Sequence, residues 1–174
     1  MGLACFGLAL GPLGVFAALL HVTGHALAKS AAFLLSGRVL RRFGSGEISA
    51  ARGLLATAPH TGVMFAAGIF ALGGLPPFGL FLSEILIVRA AWAAGHPALT
   101  GLVLVLLLIA FGSLLVQVHR MLFGEALPGI VRGERASVPL VLLALPVLLL
   151  VWLGVSIPVP LQMLLTHATT AVRP

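Results

Sequence analysis

Between Thr61 and Ala94 the chain runs almost without charge, its exceptions being Glu84 and Arg89. As one helix these residues would extend about 51 Å, against a hydrocarbon core of about 30 Å. A run so apolar has to be buried in lipid or protein, and one so long has to break. GGLPP, with Gly73, Gly74, Pro76 and Pro77, sets the break, because proline removes an amide donor and disfavours helix in the residue before it. Backbone freed at membrane depth is tolerated only inside protein or beside water, so a helix broken here points to a buried polar site. The competing expectation is two short tilted or re-entrant helices joined by the same five residues.

The remainder has the same character. Of 174 residues 60% are apolar and 8% charged, and none is Asp or Tyr, where soluble domains carry about a quarter charged residues. The expected fold is all-α, a polytopic transmembrane helical bundle of about four or five spans in a single membrane domain. The spans are placed near 13–37, 61–94 (broken), 98–118 and 137–157, the last opened by Pro139 and closed by Pro158. Residues 158–174 are read as a short, weakly polar tail. The opening MGLACFGLAL lacks the basic start of a signal peptide and reads as the end of an earlier span. The single cysteine, Cys5, has no disulfide partner and is expected to pack.

The formal charge of +6 would suggest nucleic acid in a soluble protein, but its placement argues for a membrane. Arg38, Arg41, Arg42 and Arg52 fall in the interval 38–60, and Arg120, Arg132 and Arg135 in 119–136, with long uncharged runs between. Such clustering is the signature of cytoplasmic loops, and no aromatic stacking surface accompanies it. The ISAARGLLATA part of the first loop suits a short interfacial helix. With both loops inside, the Gly95-His96-Pro97 turn and the C-terminus fall outside, as expected of a multi-pass protein of the cell (inner or plasma) membrane. Lipid is therefore an expected partner and nucleic acid is not.

The informative residues are ionisable groups at membrane depth. Such a group costs about 2.5–3.5 kcal/mol at the bilayer centre on insertion scales, so it normally faces a bundle interior and marks function. His21, His25 and Lys29 are spaced four and four, rotating about 40° and rising about 6 Å per step. With bridging water they form a titratable stripe, since imidazole accepts and donates on its two nitrogens. Ser30 and Thr23 are placed to hold that water. Lys29 and Glu84 are both expected to be buried. The bland alternative for the histidines is interhelical hydrogen bonding without transport.

Glu84 is the one acid outside the loops. Arg89, five residues on, lies about 140° away around a helix and is expected to snorkel outward. Gln117 and His119 line an entrance or simply mark the interface. Glu47, Glu125 and Glu134 read as solvated loop charges. A zinc site on His21 and His25 lacks a third ligand, a Ser-His-Asp set is impossible without Asp, and no phosphate loop or haem or flavin motif is visible. No bond chemistry is expected in this chain itself.

GPLGVFAALLHVTGHALAKSAAFLLSGRVLRR followed by FALGGLPPFGLFLSEILIV resembles the antiporter-like membrane subunits of complex I and the Mrp antiporters. Within that superfamily the chain looks most like component F of hydrogenase-4 and formate hydrogenlyase-type complexes. The resemblance runs from about Gly7 to Ala90 and covers the later spans by position and hydropathy. It implies that His21, His25 and Lys29 belong to a central hydrophilic axis, that Glu84 serves a terminal proton pathway, and that protons are translocated in step with redox chemistry elsewhere. No cofactor is then expected in this chain, since iron-sulfur and NiFe centres or a quinone site would sit in partner membrane and peripheral subunits of a hydrogenase or complex I-like assembly. Members of the family have about fourteen spans in two inverted five-helix repeats, so the chain is expected to be the C-terminal portion of such a subunit. A stand-alone cation/proton antiporter subunit and a non-conducting anchor are the alternatives.

Overall fold

A computed structural model describes residues 1–125, 132–133 and 140–172. These residues form eight helices and no strand: α1 (Gly2–Leu8), α2 (Gly11–Phe43), α3 (Leu54–Thr57), α4 (Pro59–Leu72), α5 (Gly79–Ala93), α6 (Pro97–Phe123), α7 (Leu140–Val155) and α8 (Val159–Ala171). Four of them, α2, α4, α6 and α8, carry proline in the first turn, where its missing N–H is not needed and its fixed φ suits the helix. Arg135, Glu134 and the Ser137–Pro139 opening of the last expected span lie outside the described residues.

α2 is the hub, packing against α1, α4, α5, α7 and α8. Its inner face is built from small residues, Gly14, Ala17, Ala18, Gly24, Ala28, Ala31 and Ala32, which let neighbouring backbones approach closely where lipid supplies no hydrophobic drive for helix association. The helix continues six residues past Gly37, where the sequence reading begins a loop, because nothing in RVLRRF opposes helix until Gly44. That glycine ends it at φ 68, its N–H on the Leu40 carbonyl at 2.8 Å. Arg41 and Arg42 therefore occupy the last helical turn, where cations complement the helix dipole.

Two helices, α2 and α6, are long and apolar enough to cross a membrane, and α7 with α8, bent by 72°, supplies a third if the pair is one span. The described residues thus give two or three candidate spans against the four or five expected. GGLPP is the reason: α4 and α5, at 14 and 15 residues, reach only about 21–23 Å each. The C-terminal segment differs as well. It is the helix α8, because Pro158 ends α7 and Pro160 sits in α8's first turn.

α6 forms the outer wall, with Leu102, Leu104, Val105, Leu106, Leu108 and Ile109 exposed, as suits a lipid-facing helix. Behind the break, α7 comes in against backbone. A Cβ on Gly154 would collide with the Pro77 carbonyl, and one on Gly79 would sit 2.8 Å from Leu153 Cβ.

Candidate functional site

The segment between α4 and α5 starts at Gly73, whose N–H still reaches the Ile69 carbonyl at 2.9 Å. Gly74 then turns at φ +72, a conformation that L side chains rarely adopt. Leu75 N–H bonds the Phe70 carbonyl at 3.1 Å and Phe78 N–H the Leu75 carbonyl at 3.0 Å, so the backbone freed by the prolines is largely re-satisfied within the turn. α5 resumes at Gly79.

Glu84, one turn into α5, folds back over this segment. Its carboxyl group lies against Gly74, where an added Cβ would fall 2.6 Å from Oε1 and collide with Oε2. The half-buried carboxyl opens onto a cavity of about 380 Å³ whose walls are Gly73, Gly74, Leu75 and Pro76 of the break, Phe81, Ile85 and Val88 of α5, and Leu104, Leu107, Leu108 and Phe111 of α6. Among the described residues no hydrogen-bond donor or cation reaches it. Arg89 is exposed farther along α5.

The α2 stripe behaves differently at each position. His21 is buried, its Nδ1 3.0 Å from Ser83 Oγ on α5, and Ser83 Oγ donates to the Leu80 carbonyl at 2.7 Å. The His21 and His25 rings stack at 5.8 Å between centroids with 21° between planes. His25 is half-buried, and Lys29 is exposed, against the expectation that it is buried. The reason is helical geometry: steps of four turn about 40° each, so the stripe winds from the α5-facing side of α2 onto a side that none of the described helices covers. Thr23 and Ser30 are exposed too, and each hydroxyl donates to its own helix, to the Leu19 and Ala26 carbonyls at 2.9 Å.

Stripe and carboxyl are not brought together. Ser83 faces α2, and its neighbour Glu84, about 100° farther around α5, faces the break and α6. None of His21, His25 and Lys29 lines the Glu84 cavity. Gln117 and His119 are exposed near the end of α6, His119 tilted on Phe123 at 5.0 Å, and they do not line it either. Cys5, expected to pack, is exposed.

The sequence reading missed two polar features. Ser83 is fully buried; the available signal was that it is the lone hydroxyl of α5 and precedes Glu84. Arg38, assigned to a loop, is buried on α2, its Nε donating to Thr61 Oγ1 at 2.9 Å. One turn on, Arg42 donates to the Thr57 carbonyl at 2.6 Å and the Gly133 carbonyl at 2.7 Å, tying α2 to α3 and to Gly133 between α6 and α7.

Residues 1–110 match the model of a family described as NADH:quinone oxidoreductase/Mrp antiporter, transmembrane. A hydrogenase-4 component F homolog of Methylacidiphilum infernorum is 36% identical over 163 residues, covering 91% of this chain and 33% of its own. An NADH-quinone oxidoreductase subunit N 2 of Opitutus terrae is 32% identical over 118 residues, covering 68% and 25%. A putative antiporter subunit mnhD2 of Staphylococcus epidermidis is 30% identical over 155 residues, covering 86% and 30%. Among solved structures, the Mrp complex of Dietzia sp. DQ12-45-1b contains a chain that superposes with a TM-score of 0.71 at 25% identity, over 95% of this chain and 39% of that one. The chain thus spans a quarter to a third of the length of these sequence relatives.

Proposed function

Because the chain belongs to the NADH:quinone oxidoreductase/Mrp antiporter membrane family, we propose that it is part of a proton-translocating membrane subunit in a redox-driven assembly of the hydrogenase or NADH-quinone oxidoreductase kind. The observation that carries this reading is the Glu84 carboxyl held at a helix break, in an apolar cavity, without a cation or donor beside it among the described residues. An ionised carboxyl among apolar walls is costly, so its presence here points to a task that needs an ionisable group. Proton exchange at the break is that task. His21, His25 and Lys29 relay charge along α2, and Glu84, whose cavity they do not line, exchanges protons with water at the break.

In this reading α4 and α5 together make one broken span, bringing the total to four when α7 and α8 count as one, and the C-terminus lies outside the cell membrane. The chain itself carries no redox centre; iron-sulfur, NiFe or quinone sites belong to partner subunits. The covalently simple part of the mechanism is all that these residues need supply: bind a proton, hold it away from bulk water, and release it on the other side.

Replacing Glu84 by Gln, or Lys29 by Met, in the assembled complex lowers proton pumping in vesicles more than it lowers assembly. Normal pumping with both replaced overturns the proposal. A second reading, a non-conducting membrane anchor, draws on the separation between the Glu84 cavity and the α2 stripe, and it is the reading that normal pumping would favour. Sodium-dependent exchange without a redox partner would instead indicate a cation/proton antiporter subunit; the Staphylococcus epidermidis relative is described as a putative antiporter subunit.

A further inference from the structure

We propose that Ser83 is a positioning residue that fixes the tautomer of His21, so that this ring takes up and gives off protons at Nε2 alone. The inference starts from a count of hydrogens. A serine hydroxyl has one to give, and Ser83 gives it to the Leu80 carbonyl 2.7 Å away, an oxygen that only accepts. The Ser83 oxygen therefore meets His21 with a lone pair, and the 3.0 Å contact to Nδ1 takes its hydrogen from the ring. The opposite arrangement, with Ser83 donating to Nδ1, would set two oxygen lone pairs against each other between Ser83 and Leu80. Both residues of the His21–Ser83 pair are buried, at 4% and 0% exposure, so no solvent relieves that mismatch, and an unmade hydrogen bond there costs its full desolvation penalty.

Neutral imidazole carries a single N–H, so Nε2 is the acceptor, and in the imidazolium both nitrogens donate. Nδ1 keeps its hydrogen in either state. A histidine that passes protons through its ring must load one nitrogen and unload the other. Here one of the two is closed, and the hydrogen-bonded path from His21 ends on the Leu80 carbonyl without reaching Glu84, the residue next to Ser83. His21 is then a station with a single port rather than a link between α2 and α5.

The consequence for transport rests on the proposed function, but the tautomer does not, and the test reads the tautomer directly. In the intact protein labelled with 15N-histidine and held in lipid nanodiscs at alkaline pH, the His21 signals, identified by their loss in His21→Asn, show a protonated Nδ1 and an unprotonated Nε2. Ser83→Ala lowers the Nδ1–H to Nε2–H ratio roughly fivefold, the factor that one net hydrogen bond is worth, and Ser83→Thr, which keeps the hydroxyl, restores it. A wild-type ring protonated at Nε2 overturns the proposal whether or not any variant folds, as does an unchanged ratio in a folded Ser83→Ala. Normal pumping with Glu84 and Lys29 both replaced, the tautomer being intact, would overturn the proposed function and leave this assignment standing.

Discussion

Two adjacent residues of α5 sit in opposite worlds. On the Ser83 side every hydrogen is spoken for: ring to hydroxyl, hydroxyl to carbonyl, in a fully buried seam against α2. On the Glu84 side a carboxyl faces apolar walls and a glycine backbone, with room beside it. One turn of helix thus holds a polar group that is fixed and another that is poised. The difference teaches that polarity at membrane depth has two uses, to specify how helices dock and to leave a group unsatisfied where chemistry needs it, and that hydrogen-bond bookkeeping separates them when hydropathy does not.

The comparison can be broken most forcefully at the poised side. Glu84→Gln keeps the shape and removes the titration, and it is expected to cut proton pumping at least about tenfold, the factor that about 1.4 kcal/mol on a barrier corresponds to, with assembly on native gels unchanged. If pumping persists, Glu84 is a packing residue like Ser83. Gly74→Ala comes next: a Cβ strained at positive φ and driven into the carboxyl costs about 1–3 kcal/mol, read as a lowered melting temperature in detergent, and relief of part of that loss by Glu84→Ala in the double variant would show that the two residues collide. At the fixed side, Ser83→Ala leaves the His21 N–H without its acceptor and costs about 1–2 kcal/mol, measured in the same melt. Smallest are Gln117→Ala and His119→Ala, which touch neither side and are expected to stay within about 0.5 kcal/mol of wild type with pumping unaltered. A large effect there would move the entrance to the end of α6.

Much of this arrangement is legible in the sequence itself. GGLPP in an overlong apolar run required a break, and a turn with Gly74 at positive φ followed by two prolines is what stands there. The four-and-four spacing put His21, His25 and Lys29 on one stripe, and the two rings do stack. What spacing does not carry is which part of a stripe other helices cover. A drift of about 40° per step is enough to take Lys29 out of the interface that buries His21, and only the docking of α5 on α2 decides where that line falls. Ser83 was illegible for a related reason, since one hydroxyl among apolar residues is unremarkable until a ring 62 positions earlier is set against it. Arg38 was misplaced because an arginine reads as a loop charge by default, whereas here the helix continues beneath it and Thr61 receives its Nε–H.

The tight seat of Gly154 on the Pro77 carbonyl carries a mechanical corollary. With not even a methyl group's clearance between them, the break has no slack at its back. Any swing of the elbow that would reshape the Glu84 chamber has to drag α7 with it or prise the two apart, so the cost of moving the elbow is set in part by how firmly α7 is held.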